Sequence, residues 1–130
     1  MRDTSPTIAI AASGMAAQSA RLRFISENVA NADTPGYRRK EAAFEAEVVR
    51  GRPTGRVTAG APQLDPAALT RVFDPGNPMA DSNGYYDGSN VDMVVELADA
   101  REAQRSYEAN LKLFDQARQM SQSLLDLLRR

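Results

Sequence analysis

The sequence contains neither cysteine nor histidine. The lack of cysteine excludes disulfides, thiolate catalysis and cysteine-based zinc sites. The lack of histidine removes the usual general base and the commonest transition-metal ligand. Any catalysis would therefore have to rest on carboxylate, serine, tyrosine or lysine side chains.

Long apolar runs and an excess of charge of one sign are also missing. A membrane span needs roughly 20 mostly apolar residues in a row, and the apolar stretches here are far shorter. The 16 basic and 17 acidic residues nearly cancel, so no strong field indicates nucleic acid or an anionic membrane. The opening residues lack the hydrophobic core of a secretory signal. We expect one soluble domain without a cleaved signal, which recognises its partners by shape and apolar contact.

Glycine and proline are scarce at both ends of the chain. Of the 8 glycines and 7 prolines, 11 fall between Gly51 and Gly88. Because these residues break helices, the distribution predicts a helix at each end and an irregular middle. We expect a mainly α fold, in which the N- and C-terminal helices pair as a coiled-coil-like bundle around a small irregular or β-hairpin segment.

The first helix is predicted to begin at Thr4 or Ser5, either of which can cap it. Its larger apolar residues recur every seven positions, with others three positions further on, which is the spacing of a coiled-coil seam. The turn formers from Asp33 to Gly36 end it, because the residue before a proline avoids the helical region.

The middle segment has short strand-like pieces between turn formers. We expect a short strand or an extended arm from Tyr37 to about Val49, and a loop or hairpin from Gly51 to Pro66 with one strand-like piece at residues 56–58. Residues 70–73 have β-branched and aromatic character and lead into the turn cluster of residues 74–78. A small β-hairpin element is the economical interpretation.

The second helix is predicted to begin after Ser89, with Asn90 as its cap, and to reach the C-terminus. No glycine or proline occurs from Val91 to Arg130. Such a helix would be about 60 Å long. Its apolar positions form two adjacent rows, which indicates packing against more than one helix.

The apolar faces of the two helices are too broad to cover each other completely. An uncovered face predicts self-assembly or a large helical partner. We expect the seam of the first helix to pack against that of the second, partly within a subunit and partly between subunits. The predicted subunit-packing residues are Ile8, Met15, Leu22, Ile25, Val29, Tyr107, Phe114, Ala117, Met120, Leu124, Leu127 and Leu128.

Three patterns suggest chemistry only weakly. Residues 81–92 match part of a calcium-loop template, but Tyr86 stands where the template needs glycine and Asp92 where it needs glutamate. The basic run 38–40 is cancelled by nearby glutamates, so a solvated strand end or a subunit contact is favoured over nucleic acid. Asp92 and Glu96 share a helical face, as acidic residues in a first turn usually do. We therefore predict no catalytic, metal or cofactor site.

Four segments resemble the flagellar rod, hook and hook-associated proteins. Residues 13–22 and 28–40 are similar to the N-terminal signature of that superfamily. Residues 72–85, and 89–92 leading to 106–110, are similar to its FlgC branch, with the FlgB branch as the nearest alternative. The motif positions are Asn28, Asn31, Pro35, Gly36, Tyr37, Asp74, Pro75, Gly76, Pro78, Asn90, Val91, Asp92, Ser106, Tyr107 and Asn110.

This resemblance implies a structural subunit of the proximal rod of the flagellar basal body. Residues 1–36 and 89–130 would form the helical core of a periplasmic tube that transmits torque, and residues 37–88 would contact neighbouring subunits. Its partners would be other proximal and distal rod subunits and the flagellar type III export apparatus, with no nucleic acid and no membrane insertion. The alternatives are a helical-hairpin adaptor or export chaperone in a discrete complex, and a small carboxylate-dependent hydrolase.

Overall fold

Two long helices dominate the computed structural model, which describes residues 5–129. Helix α1 spans Ser5–Ala30 and helix α2 spans Met93–Leu128, so both predicted helices are confirmed. The possible cap at Thr4 lies outside the described residues, as do the outermost ends of the predicted terminal segments. Neither helix combines the length and apolarity needed to cross a bilayer within residues 5–129.

The predicted cap of the second helix is wrong. Asp92, not Asn90, is the N-cap, and its Oδ1 accepts a hydrogen bond from Val94 N at 3.0 Å. Both residue types cap helices well. The side chain of Asn90 is instead engaged by three backbone groups of the middle segment, so the helix begins later than the sequence suggested.

The two helices run antiparallel. The side chain of Asn28 contacts Glu96, and fourteen residues away along each helix Gly14 lies against Asn110. By this register Ser5 lies roughly level with residue 119, since both helices rise about 1.5 Å per residue. The final turns of α2 therefore extend beyond the first described residue of α1.

Small residues let the helices approach closely. The fully buried apolar residues include Ala11 and Ala103, both with 0% exposure. At Gly14 an added Cβ would come within 2.7 Å of the Asn110 side-chain oxygen. Gly14 weakens an isolated helix, but here the lack of a side chain makes room for the Asn110 amide. The other buried apolar side chains are Ala17, Phe24, Ile25 and Ala117.

The middle segment forms three separate two-stranded antiparallel pairs within the described residues. Strand β1 (Lys40–Glu41) pairs with β4 (Gln63–Leu64), β2 (Phe44–Val49) with β3 (Arg52–Ala59), and β5 (Arg71–Phe73) with β6 (Tyr85–Asp87). The segment predicted as a short strand or extended arm up to Val49 contains β2, and the strand-like residues 56–58 and 70–73 lie in β3 and β5. The single hairpin that we predicted is one of three strand pairs.

The β2–β3 hairpin is docked on α1. Its two-residue turn uses positive φ at Arg50 (53°) and Gly51 (78°), as in a type I′ turn. Ser13 Oγ donates to Ile10 O at 2.7 Å and accepts from Val57 N at 3.1 Å. This hydroxyl fixes the hairpin against the first half of the helix.

Candidate subunit interface

A buried polar cluster joins the end of α1 to the start of α2. We call it the polar clasp and define it as Asn28, Tyr37, Arg39, Asn90 and Glu96. Asn28 and Glu96 are both 0% exposed. Buried polar groups are costly unless they find partners, so the arrangement of their hydrogen bonds decides whether this cluster stabilises the fold.

The amide of Asn28 makes four hydrogen bonds. Its Oδ1 accepts from Tyr37 Oη and from Lys40 N, each at 2.8 Å. Its Nδ2 donates to Lys40 O at 2.9 Å and to Glu96 Oε2 at 3.2 Å. Every donor and acceptor of this side chain is used, so Asn28 holds the chain after the turn against both helices.

Arg39 lies among four carboxylates. Its Nε donates to Glu96 Oε1 at 2.7 Å, and its terminal nitrogens pair with Glu41, with Asp65 at 3.3 Å and with Asp99 at 3.2 Å. The Arg39 side chain is only 11% exposed. The expectation that the basic run is a solvated strand end or a subunit contact is therefore wrong for Arg39, which neutralises acidic groups of its own chain.

The environment of the clasp shifts two of its pKa values. Burial acts to lower the pKa of Arg39, but the hydrogen bond and charge of Glu96 outweigh it and hold the pKa above its ordinary value. Burial, opposed in part by Lys40, raises the pKa of Tyr37. Near neutral pH, Arg39 is charged and the Tyr37 hydroxyl keeps the proton that it donates to Asn28.

Asn90 ties the clasp to the middle segment. Its Oδ1 accepts from Arg39 N at 2.7 Å, and its Nδ2 donates to Asp65 O at 3.0 Å and Ala67 O at 3.1 Å. Next to it, Ser89 Oγ donates to Ala32 O and accepts from Val91 N at 3.3 Å. These bonds fix the entry into α2 against the turn that follows α1.

Two other motif residues from the N-terminal part of the chain, Asn31 and Gly36, stabilise the turn that follows α1. Asn31 Nδ2 donates to Glu27 O at 2.9 Å, which covers a carbonyl at the end of α1. Gly36 has φ 75°, and its N–H lies 3.2 Å from Asp87 O and 3.0 Å from Gly88 O. A left-handed residue is needed there, which favours glycine after Pro35.

The motif residues from Asp74 to Pro78 lie in the turn between β5 and β6. Asp74 N donates to Gly84 O at 2.9 Å, and Asn77 N donates to Asp74 O at 3.0 Å. Gly84, at φ 85°, lies under Phe73 and Pro75, where an added Cβ would be 2.8 Å from the Phe73 ring. All four motif residues of this turn, Asp74, Pro75, Gly76 and Pro78, are exposed.

The carboxylates of the partial calcium template serve other contacts. Arg71 pairs with Asp81 at 2.7 Å and with Asp87 at 3.2 Å. Backbone hydrogen bonds, the largest from Tyr85 N, lower the pKa of Asp81, and Arg71 adds to the effect. Asp92 caps α2. Across residues 5–129 no three acidic groups come together in a way that could hold a metal ion.

The motif residues Ser106, Tyr107 and Asn110 lie along the middle of α2. Asn110 Nδ2 donates to Ser106 O at 2.9 Å, which leaves its amide pressed against Gly14 of α1. Tyr107 is half-buried beside it. These motif residues therefore lie where the two helices pack closely together.

The predicted subunit-packing residues differ widely in exposure. Ile25 and Ala117 are buried between the helices. Those that are half-buried are Ile8, Met15, Leu22, Tyr107, Phe114 and Leu124. Those that are exposed are Val29, Met120, Leu127 and Leu128. The buried row of α1, which includes Ala17 and Phe24, lies beside the predicted seam and leaves much of that seam accessible.

The antiparallel register separates some of the residues expected to pack together. Val29 lies near the start of α2, whereas Leu124 and Leu128 lie at its end, on the order of 50 Å away. Within one chain these residues do not meet. A contact between them can form only between two copies.

Large apolar side chains remain exposed along the whole of α2. Their exposed fractions reach 77% at Val94. The exposed set on this helix is Met93, Val94, Val95, Leu97, Leu111, Leu113, Met120, Leu125, Leu127 and Leu128. A monomer rarely displays so long an apolar surface unless a partner covers it.

Sequence reasoning missed Glu96 and Asp99 as partners of Arg39. Glu96 looked like an ordinary acidic residue in a first helical turn, and 57 residues separate it from Arg39. The one available signal was the basic run itself, which lies among acidic residues. Without the fold, that signal could not distinguish an internal partner from a neighbour.

Two family models match the chain at its ends. The model described as "Flagella basal body rod protein" matches residues 8–38, and that described as "Flagellar basal body rod FlgEFG protein C-terminal" matches residues 82–127. The first covers α1 from Ile8 onward, including Asn28, and the turn that leads to Tyr37. The second covers the entry to α2 and nearly the whole of that helix.

Curated relatives are similar over almost the full length. A "Flagellar basal-body rod protein FlgC" of Agrobacterium fabrum is 45% identical over 127 residues, covering 92% of this chain and 91% of the relative. The protein of the same name in Salmonella typhimurium is 38% identical, with 91% and 92% covered. That of Yersinia enterocolitica is 37% identical, with the same coverage.

Proposed function

The chain belongs to the FlgC family of flagellar basal-body rod proteins, and from that premise we propose that it is a structural subunit of the proximal rod. In this role it assembles with other proximal and distal rod subunits into a helical tube. The tube acts as a drive shaft that transmits motor torque to the hook and filament, and the chain has no enzymatic task.

The observation that carries this proposal is the exposed apolar surface of α2. Burying one leucine or phenylalanine side chain contributes about 1.5–3 kcal/mol. Ten large apolar residues of α2 are exposed in the single chain. Covering several of them at each contact would supply enough free energy to hold neighbouring subunits together.

The two helices would form the tube and the middle segment would support it. Residues 1–36 and 89–130 are assigned to the helical core, where rows of neighbouring copies pack in a coiled-coil-like manner. Residues 37–88 are assigned to contacts between subunits. The docking of the β2–β3 hairpin on α1 through Ser13 supports this division, because force applied to the hairpin passes directly to the helix.

Torque transmission requires a subunit that does not deform. The polar clasp meets that need at one end of the helix pair, since buried and fully bonded groups hold one geometry. We also propose that the chain reaches the periplasm through the flagellar type III export apparatus without a cleaved signal. The weak helix propensity of α1, with Gly14 at its centre, suits a chain that is exported before it packs.

Purified basal bodies test the proposal. In the bacterium that makes this protein, the gene is replaced by a tagged copy, and basal bodies are isolated and imaged at subunit resolution. We expect the tag in the rod fraction and the helix pair in the density of the proximal rod. A tagged chain found only in a small complex of fixed mass by light scattering would instead indicate the adaptor or chaperone.

A further inference from the structure

The tip of the β2–β3 hairpin carries basic charge that its own chain does not neutralise. Arg50 and Arg52 flank Gly51 in the turn, and all three are exposed. Neither arginine forms an ion pair with another residue among 5–129. Beside them, Val48 is 57% exposed and Val49 50%. We call residues 48–52 the basic tip.

The backbone of the basic tip does not favour arginine. The φ of Arg50, 53°, lies in the left-handed region, which is uncommon for a residue with a side chain. A type I′ turn favours asparagine and then glycine at its two central positions, and only Gly51 meets that preference. The local fold therefore does not account for Arg50, whereas a contact made by its exposed guanidinium does.

An acidic and apolar surface lies on the turn between β5 and β6. Phe73 is 62% exposed and Met79 64%. Asp74 is exposed and pairs with no basic side chain among residues 5–129, whereas the other two carboxylates of the hairpin are held by Arg71. We call Phe73, Asp74 and Met79 the acidic turn. Its charge and its apolar side chains complement those of the basic tip.

Two prolines hold the acidic turn in shape. Pro75 and Pro78 each have a fixed φ, and Asn77 N donates to Asp74 O at 3.0 Å. A surface that is ordered before it binds loses less conformational entropy on binding. The turn is thus prepared for a contact that the chain itself does not make.

The basic tip and the acidic turn lie at opposite ends of α1. Val57 is bonded to Ser13 and Gly55 lies against Ile10, so β3 runs towards the start of the helix as it approaches the tip. The β5–β6 pair is bonded to the turn that follows the helix. Ile10 and Ala30 are separated by about 30 Å along the axis. The two surfaces therefore do not meet within one chain.

We propose that the basic tip of one copy docks on the acidic turn of the next copy, so that Arg50 pairs with Asp74 across the contact. The valines of the tip then cover Phe73 and Met79. Opposite charges select the partner and its orientation, and the contact repeats from copy to copy because it joins two different surfaces. This inference rests on the proposed function, in which residues 37–88 contact neighbouring subunits, and it names the two surfaces.

The absence of cysteine makes a crosslinking test clean. The double variant Val49→Cys/Met79→Cys is expressed in place of the natural chain, and purified basal bodies are treated with a short thiol crosslinker. Because the two positions lie at opposite ends of α1, docking between copies gives a ladder of products at multiples of 14.1 kDa. Each single variant should give no ladder.

A matched control moves the second cysteine to another exposed residue of the middle segment. Leu64 is 58% exposed, close to Met79 at 64%. Val49→Cys/Leu64→Cys should give no ladder. The proposal is overturned if this control forms the same ladder, if Val49→Cys/Met79→Cys is present in basal bodies without one, or if mass spectrometry shows that its linked partner is a different protein.

Two substitutions of Arg50 separate its charge from its backbone. In the double-cysteine chain, Arg50→Asn removes the charge but suits the left-handed backbone. The ladder should weaken about two- to fivefold, as expected for an exposed ion pair, while the urea midpoint of the chain does not fall. Arg50→Lys keeps the charge and should keep the ladder. Equal ladders from these two variants overturn the pairing with Asp74.

A charge exchange keeps the test decisive if the double-cysteine chain does not assemble. Arg50→Asp and Asp74→Arg should each slow spreading through soft agar, and the two together should restore it, since the exchanged charges meet only across copies. Unchanged spreading in both single variants, or no restoration, overturns the contact. If even the natural tagged chain is absent from basal bodies, the proposed function fails as well. If that chain is present, a failed test removes the contact alone.

Discussion

The two ends of the helix pair differ in their polar contacts, although both expose apolar side chains of α2. At the clasp end, Asn28 and Glu96 are fully buried and every polar atom of Asn28 has a partner in the same chain. At the other end lies the overhang, which is the part of α2 at residues 120–128 that extends past the first described residue of α1, and here Leu127 and Leu128 are more than 60% exposed. The difference indicates that the clasp fixes the geometry of the subunit at one end, whereas the leucines at the other end contribute little to the stability of the single chain.

The comparison predicts that the two ends fail differently when mutated. A change in the clasp should lower the free energy of unfolding of the isolated chain. A change in the overhang should lower that free energy less than a change in the clasp, and it should prevent assembly. The four variants below test this contrast.

The largest expected effect is the loss of assembly in Leu124→Asp. A carboxylate in an apolar contact between copies must be desolvated without a partner, which costs several kcal/mol at each contact. We expect a soluble, folded chain, no rods and no swimming in soft agar. Ser123→Asp, an exposed neighbour on the same turn, is the control and should swim. Normal motility of Leu124→Asp would show that the overhang is not needed for assembly.

Glu96→Ala should give the largest loss of stability. The substitution removes the carboxylate that pairs with Arg39 Nε at 2.7 Å and that accepts a hydrogen bond from Asn28. Breaking a buried ion pair lowers the free energy of unfolding by about 3–5 kcal/mol. Glu102→Ala is the matched control on the same helix, since Glu102 pairs with Arg21 at 3.4 Å but is 69% exposed. Its cost should be about 1 kcal/mol or less. Urea unfolding of both variants measures the difference, and equal costs would contradict a special role for the clasp.

Tyr37→Phe should have a moderate, pH-dependent effect. Losing the 2.8 Å hydrogen bond to Asn28 costs about 0.5–1.5 kcal/mol near neutral pH. Because the folded pKa of Tyr37 is raised above 10.0, the contribution of its hydroxyl is fully present below the unfolded pKa and is lost as pH rises through the folded one. The difference in free energy of unfolding between the wild type and Tyr37→Phe should therefore decrease above pH 10. Urea unfolding at several pH values measures it. Tyr85→Phe, in an exposed hairpin, should change stability by less than about 0.5 kcal/mol.

Asp65→Asn should give the smallest loss of stability, and that loss should disappear at acid pH. The backbone hydrogen bond from Ala67 N lowers the pKa of Asp65 below 3.8, and Arg39 adds to it. The stabilisation is present above the unfolded pKa and is lost as pH falls through the lower folded pKa. The difference in free energy of unfolding between the wild type and Asp65→Asn should thus be present near neutral pH and disappear as the pH falls below 3.8. Urea unfolding at several pH values measures it. A difference that stays constant across this range would show that the carboxylate charge plays no part.

Local patterns predicted most of the secondary structure but little of the clasp. The helices of 26 and 36 residues follow from periodicity and from the scarcity of glycine and proline at the ends. The motif residues Asn28, Tyr37 and Asn90 were identified by resemblance. Their shared role was not, because it depends on Glu96 and Arg39, which no local pattern connects.

The sequence by itself determined two helices, a turn-rich middle, the absence of thiol and imidazole chemistry, and the family. These depend on residue types and on spacings within a few turns, which are local properties. Only the tertiary structure decided that Asp92 and not Asn90 caps α2, that Arg39 is satisfied within its own chain, and which apolar rows stay exposed. Each of these depends on which distant segments lie side by side, and the free energy of a buried contact is set by that neighbourhood rather than by the residue alone.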